Sequence, residues 1–598
     1  MKLRSIQYIF VEARSSLVRF PFVLLAAMAA AVCALVVVDR SETTTWINGI
    51  FAAQLGIPMF FAIATAGEAF AWSRTRRVAL ALVGLVALVA YYFSLSSWLS
   101  EVTVIRFVQF NVGLHLLVTF LAFLGAGVNG FWQYNKSLFL RFLTSAIYSG
   151  VIYIGLTIAL VAIDKLFGVN IDDENYLRLW IVVAFVFNTW VFVGGVPADI
   201  RGLENVGDYP RVIKVFSQYI LIPLVIVYLT ILTIYLFKVV ITTEWPSGWI
   251  GYLVSSVAAV GIFALLLVHP ISSREENRWV ATFSRWYYIL MIPSIGMLLM
   301  AIYKRIDQYG ITEKRYILLV LALWLAVIAV YFIFSRMKNI KFIPVTLCAI
   351  ALATSFGPWG AYSVSRRSQT NRLSELLIRN EVLVDGSVQM TKSDVSFEDR
   401  TEISAILRYL VETHGTEPLE PWFGGSIAEI DTIGEPENPE GPHQTKARVQ
   451  LIMNEMGVAY VGWRAGQQRG HFTYTLDADD RVFAIAGATH LIKIRSQARS
   501  VEFGDEYMLV WKEGAPDIEL RRGGEIVLTV STDRLFEQID IHRQGVIDVT
   551  RLPKQVMNIS AENDTARVDV YFDRISGQVL PEGRDVNHFA ADCFIRIK

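Results

Sequence analysis

Lys304-Arg305-Ile306-Asp307-Gln308-Tyr309-Gly310-Ile311-Thr312-Glu313-Lys314-Arg315-Tyr316 is a turn crowded with charge, and it joins two apolar runs, 285–303 and 316–334. Each run is close to the roughly 20 residues that an α-helix needs to cross the hydrocarbon core of a bilayer. Gly310 permits a sharp reversal between them, and Thr312 sits where it can cap the next helix. Glu313 favours the positive end of that helix. The turn is therefore read as a hairpin tip between two membrane spans.

Working outward, the same length criterion predicts about eleven spans. They fall near 20–38, 47–71, 78–97, 107–126, 138–163, 177–196, 216–241, 249–268, 285–303, 316–334 and 342–362. The chain has 598 residues, 54% hydrophobic and 18% charged, against roughly 25% charged in a soluble domain. The shortfall is confined to the part before about Ser363. Before the first span, Leu3, Ile6, Phe10, Ala13 and Leu17 recur at helical spacing among Arg4, Arg14 and Arg19. That pattern suits an amphipathic helix on the membrane surface over 1–19, or a plain cytosolic lead-in. A cleaved signal peptide does not fit so long a lead-in with more spans behind it.

Positive charge orients the bundle. With the N-terminus inside, the inner loops carry Arg74, Arg76, Arg77, Lys136, Arg141, Arg201, Arg211, Lys214, Arg274, Arg278, Arg285, Arg336, Lys338 and Lys341. The outer loops carry mostly acids: Asp39, Glu42, Glu101, Asp164, Asp172, Asp173, Glu174 and Glu244. The alternation breaks once, at 304–316. Either a span is miscounted or this outer turn is cationic for a reason. An odd number of spans places everything after Ser365 outside, in the periplasm of a Gram-negative cell.

The remainder divides into a helical and linker section, 363–465, and a β-rich domain, 466–598; the membrane domain is 20–362. Leu373, Leu376 and Leu377 mark one helix, and Ile403, Ile406, Leu407, Leu410 and Val411 mark a second that ends at His414-Gly415. The run 434–444 reads as a loop, and a third helix near 446–456 closes at Gly457. From about Gly470 the period becomes two. Val568, Val570 and Phe572 share a face, as do Phe589, Ala591, Cys593, Ile595 and Ile597. The fold class is thus an α-helical polytopic membrane domain followed by an α+β soluble domain with an antiparallel sheet or sandwich.

Ionisable and polar groups inside spans are costly and mark candidate sites. Glu68 either binds a proton or cation, or pairs with an arginine at the interface. Asn111 and His115 lie four apart on one helix face, as a polar pathway or as interhelical hydrogen-bonding groups. Asn188 precedes Gly194-Gly195-Val196-Pro197, read as a broken helix or a simple terminus. At the outer turn, Arg305, Tyr309, Thr312, Glu313, Arg315 and Tyr316 are the candidate substrate-binding residues. The arginines and Lys314 suit phosphate or carboxylate, and Tyr303, Tyr309 and Tyr316 suit the headgroup level. The plain alternative is a tight hairpin anchored on lipid. No P-loop, His-Glu-x-x-His, Gly-x-Ser-x-Gly or paired Cys-x-x-Cys occurs. Cys33, Cys348 and Cys593 are far apart, and the histidines, His414 among them, lack ligand spacing. No catalytic residue, metal or cofactor is expected. Net charge of zero implies no nucleic-acid partner.

The run Arg305 to Tyr316, followed by Leu321-Ala322-Leu323-Trp324 and supported by Val186-Phe187-Asn188-Thr189 and Ile403 to Gly415, resembles a bacterial polytopic inner-membrane family, domain of unknown function 4153. The resemblance implies an inner-membrane protein with no assigned reaction. The expected function is recognition or transport of an amphiphilic or anionic envelope substrate, with the β-rich domain periplasmic over the outer mouth. The rival is a membrane scaffold or sensor whose periplasmic domain binds a partner protein or cell-wall component.

Overall fold

The computed structural model describes residues 16–39, 44–95, 100–242, 249–272, 275–335, 339–391, 395–423, 427, 442–462, 471–477, 487–494, 500–504, 506–512, 515–543, 551–580 and 583–598. Of the expected surface helix over 1–19, only 16–19 is described, and it is helical. Glu42, Glu244, Arg274, Arg336 and Lys338 lie outside the described residues, as does most of the loop expected over 434–444. The chain divides into two compact units: Met1–Glu375 with Leu410–Leu419 and Gly434–Glu440, and Leu376–Tyr409 with Glu420–Ile433 and Gly441–Lys598.

The first unit is a helical bundle. Its helices are α1 (Pro21–Asp39), α2 (Thr44–Ala69), α3 (Arg74–Phe93), α4 (Glu101–Phe120), α5 (Val128–Phe167), α6 (Asp173–Gly194), α7 (Arg211–Thr242), α8 (Trp249–Val268), α9 (Arg278–Tyr309) and α10 (Glu313–Phe334). Among the described residues these ten are long and apolar enough to cross a membrane. Their starts are set by local chemistry. The hydroxyls of Ser73 and Ser100 accept the amides of Arg76 and Thr103, each at 3.2 Å. Wide π-turns interrupt α6 at Val182–Phe187 and α7 at Phe216–Leu221. Small residues let helices approach closely, as expected where lipid supplies no hydrophobic drive. A Cβ on Gly56 of α2 would lie 3.1 Å from both Ala26 of α1 and Leu88 of α3.

The eleventh span, expected as one helix over 342–362, takes a different form. Helix α11 (Phe342–Ala353) has 12 residues. A turn over 354–360 follows, built on Gly357 at φ +82° and Gly360 around Pro358. Proline lacks the amide a helix needs, so apolar character alone does not carry the helix through. The segment nevertheless runs antiparallel along all of α4. Lys341 donates to the carbonyl of Phe123 at 3.1 Å and to that of Ala126 at one end. Cys348 donates to Gly113 O and Gln109 to Thr354 Oγ1 in the middle. The Tyr362 hydroxyl donates to Val102 O at 3.1 Å at the other end. Helix α12 (Ala361–Arg379) then continues, longer than Leu373, Leu376 and Leu377 alone mark.

The second unit carries the sheets. Helix α13 (Phe397–His414) ends at Gly415, and α14 (Pro442–Glu455) is followed by Gly457; both glycines have positive φ. Helix α14 begins at Pro442, earlier than the expected 446, because proline is well suited to a first helical position. After the short hairpin β1 (Leu383–Val384) and β2 (Ser387–Val388), the strands are β3 (His471–Leu476), β4 (His490–Ile494), β5 (Ser500–Phe503), β6 (Tyr507–Lys512), β7 (Ala515–Arg522), β8 (Glu525–Val530), β9 (Arg551–Leu552), β10 (Asn558–Glu562), β11 (Ala566–Leu580) and β12 (Gly583–Ile597). One sheet has the order β4-β12-β11-β3-β9 with β10 on β11, and the other is the meander β5-β6-β7-β8. All these pairings are antiparallel except β3 with β9. The two sheets share a core in which Leu509, Trp511, Ile518 and Leu520 meet Val568, Val570 and Phe572.

Candidate functional site

The turn after α9 follows from two residues. Gly310 takes φ 69°, ψ 179°, a combination open essentially to glycine. Thr312 occupies the position before α10 in extended conformation, but its side chain makes no capping hydrogen bond. The turn is instead held from outside. Gln369 of α12 donates to the carbonyls of Tyr309 (2.9 Å) and Ile311 (3.1 Å). The Ile311 amide donates to Ser368 Oγ at 3.0 Å. Arg372 donates to the carbonyls of Asp307 and Gln308.

The six candidate residues separate by role. Arg315 turns back on the hairpin, donating to Gly310 O at 2.8 Å and Tyr309 O at 3.2 Å, with its guanidinium 5.5 Å from the Tyr309 ring. The Tyr316 hydroxyl donates to Trp359 O at 2.6 Å. Glu313 is buried: its carboxylate accepts from Ser365 Oγ and lies 3.2 Å from His414 Nε2. Ser365 Oγ is also 3.4 Å from His414 Nε2. Because Ser365 and His414 meet the same carboxylate oxygen, the trio is a buried polar lock, without the relay order of a hydrolytic triad. Lys314 pairs with Glu101. Arg305 is exposed, and no hydrogen bond or ion pair to it is seen among the described residues. Tyr303 and Tyr309 flank it, both exposed.

The intramembrane candidates do not converge with the turn. Glu68 is held by Arg19 in a two-pronged pair, Nε to Oε1 at 2.7 Å and Nη2 to Oε2 at 2.6 Å. Arg19 also donates to the carbonyls of Val196 (2.8 Å) and Pro197 (2.6 Å), so one guanidinium ties α1, α2 and the end of α6. Asn188 accepts a hydrogen bond from Ser149 of α5 at 3.3 Å. His115 is exposed, with Nδ1 2.9 Å from the Asn111 carbonyl of its own helix. Ser365, Ser368, Gln369, Arg372 and His414 were not legible as turn-holding residues. For the first four the one signal is a polar helix, α12, directly after an apolar segment; His414 ends α13. Among the described residues no group of His, Cys, Asp and Glu could hold a metal ion.

Comparison with known proteins adds a family and little chemistry. The family described as domain of unknown function (DUF4153) matches residues 25–386. An uncharacterized protein of Pasteurella multocida (strain Pm70), PM1469, is 25% identical over 323 residues, covering 52% of this chain and 53% of that protein. The chain thus spans about half the length of the curated relative it matches. No solved structure matches it. With the match running from the first span through the turn to the first hairpin of the second unit, the chain belongs to the DUF4153 family.

Proposed function

We propose that the protein sits in the bacterial inner membrane, N-terminus cytoplasmic, and recognises an anionic amphiphile at the outer end of its helix bundle. The observation that carries this is Arg305. It is an exposed guanidinium with no protein partner among the described residues, in the last turns of α9 just before the turn that α12 holds, and flanked by tyrosines suited to headgroup depth. The basic inner loops support the orientation, with the second unit outside. The test is binding of the purified full chain to vesicles containing phosphatidylglycerol, compared with phosphatidylcholine alone. Arg305→Ala lowers the preference for the anionic vesicles with no loss of thermal stability. Arg315→Ala lowers stability as well, because it removes hydrogen bonds to the turn. Unchanged preference in Arg305→Ala overturns the reading.

A second reading, a scaffold or sensor, is favoured by a specific observation: Glu68 and Asn188 are engaged by protein groups. Water access to Asn111, His115 and Asn188, read by cysteine labelling across the bundle, separates the two. Reactive positions support movement of a substrate, and unreactive ones support the scaffold.

A further inference from the structure

A cavity of about 280 Å³ opens between the C-terminal end of α3, the first turns of α4 and the 355–363 segment, lined among others by Tyr91, Ser94, Arg106, Phe110, Ser355 and Tyr362. It is slightly below the range of roughly 300–1,000 Å³ typical of drug-sized sites, so it suits a headgroup or small anion. Two donors in its wall are unused: Arg106 Nε and the Tyr91 hydroxyl are buried without a hydrogen-bond partner. Among the described residues no carboxylate pairs with Arg106; Glu101, one and a half turns earlier, is taken by Lys314. The Arg106 guanidinium packs over the Tyr362 ring, 4.9 Å from its centroid. Such stacking leaves the N–H edge available. Arg106 stands at the edge of the expected span 107–126, half-buried and without a counter-charge, where its guanidinium suits a phosphate or carboxylate.

The serines narrow the chemistry. Ser94 Oγ donates to Tyr91 O and Ser355 Oγ to Ala351 O, both at 2.7 Å. Their hydrogens are spent, so each offers only lone pairs. The wall therefore presents a cationic donor in Arg106, the hydroxyls of Tyr91 and Ser363, and lone pairs on Ser94, Ser355 and Tyr362, whose own hydroxyl donates to Val102 O. We propose that this cavity binds a phosphate group that also carries a hydroxyl, as hydrogen phosphate or a phosphoglycerol head does. A carboxylate would satisfy Arg106 and leave the serines nothing to accept. The site stands apart from Arg305 and does not depend on the role given to it above.

The test uses the full chain in a phosphate-free maltoside detergent with three probes: inorganic phosphate, tail-labelled phosphatidylglycerol and tail-labelled diacylglycerol. Wild type binds at least one of the first two saturably. Arg106→Gln weakens that binding about ten-fold or more, the loss of one charge-assisted hydrogen bond. Tyr91→Phe weakens it several-fold, and carries the test if Arg106→Gln does not fold. Arg305→Ala leaves it unchanged, which separates this site from the outer turn. Binding of phosphate identifies a soluble anion as the ligand, and binding of phosphatidylglycerol alone identifies a lipid head. No saturable binding of either phosphate probe, equal binding of diacylglycerol, or wild-type affinity in both variants overturns the proposal.

Discussion

Gly310 shows how much one residue sets at this turn. A Cβ there would lie 2.7 Å from Gln369 Nε2, and its backbone angles suit no other residue. Gly310→Ala is expected to cost roughly 1–3 kcal/mol, read as a lower thermal midpoint of the detergent-solubilised chain. Arg19 and Glu68 make a second case. Removing either strands its partner, so Arg19→Met or Glu68→Gln is expected to cost roughly 2–3 kcal/mol. The double variant should cost clearly less than the two together, and additive losses would dismiss the coupling. That Glu68 pairs with an arginine was readable from its place at the C-terminal end of α2, within about two turns of Arg74. Which arginine was not, because Arg19 and Arg74 lie at similar depth and only packing of α1 on α2 selects between them. His414 was passed over for a like reason: histidine spacing says nothing about a carboxylate brought in from another helix.

At the level of elements, periodicity was a good guide where one face is buried. Val568, Val570 and Phe572 on β11, and Ala591, Cys593 and Ile595 on β12, are fully buried as the alternation requires. Burial pushes the Cys593 thiol well above its ordinary range, and the thiolate is the reactive form. Cys593 should therefore resist iodoacetamide at pH 8 in the folded chain and react in denaturant; mass mapping of the labelled peptide decides this. Hydropathy served less well at 342–362. It registers apolar content and is blind to the backbone limits that Gly357, Pro358 and Gly360 impose. The π-turns of α6 and α7 leave no mark in composition either, since they add a residue to a turn without changing its character.

For the molecule as a whole, sidedness is the testable quantity. The Lys314–Glu101 pair and the Tyr316–Trp359 hydrogen bond gather the start of α10, the start of α4 and the end of the 341–362 segment at one end of the bundle. Lys341 meets the opposite end of α4. In a chain freed of native cysteines, Gln308→Cys should react with an impermeant maleimide on intact cells, and Asn339→Cys only after lysis. Labelling of both from one side would break the assignment. The 341–362 segment bears on manufacture too. Its helix is about 18 Å long at 1.5 Å per residue, against a hydrocarbon layer of about 30 Å. Hydrophobic length alone would not make a translocon release it into lipid. Cys348, Thr354 and Tyr362 bond α4, made much earlier in synthesis, so the segment is expected to settle only against a helix already in place, which gives biogenesis of this chain a fixed order.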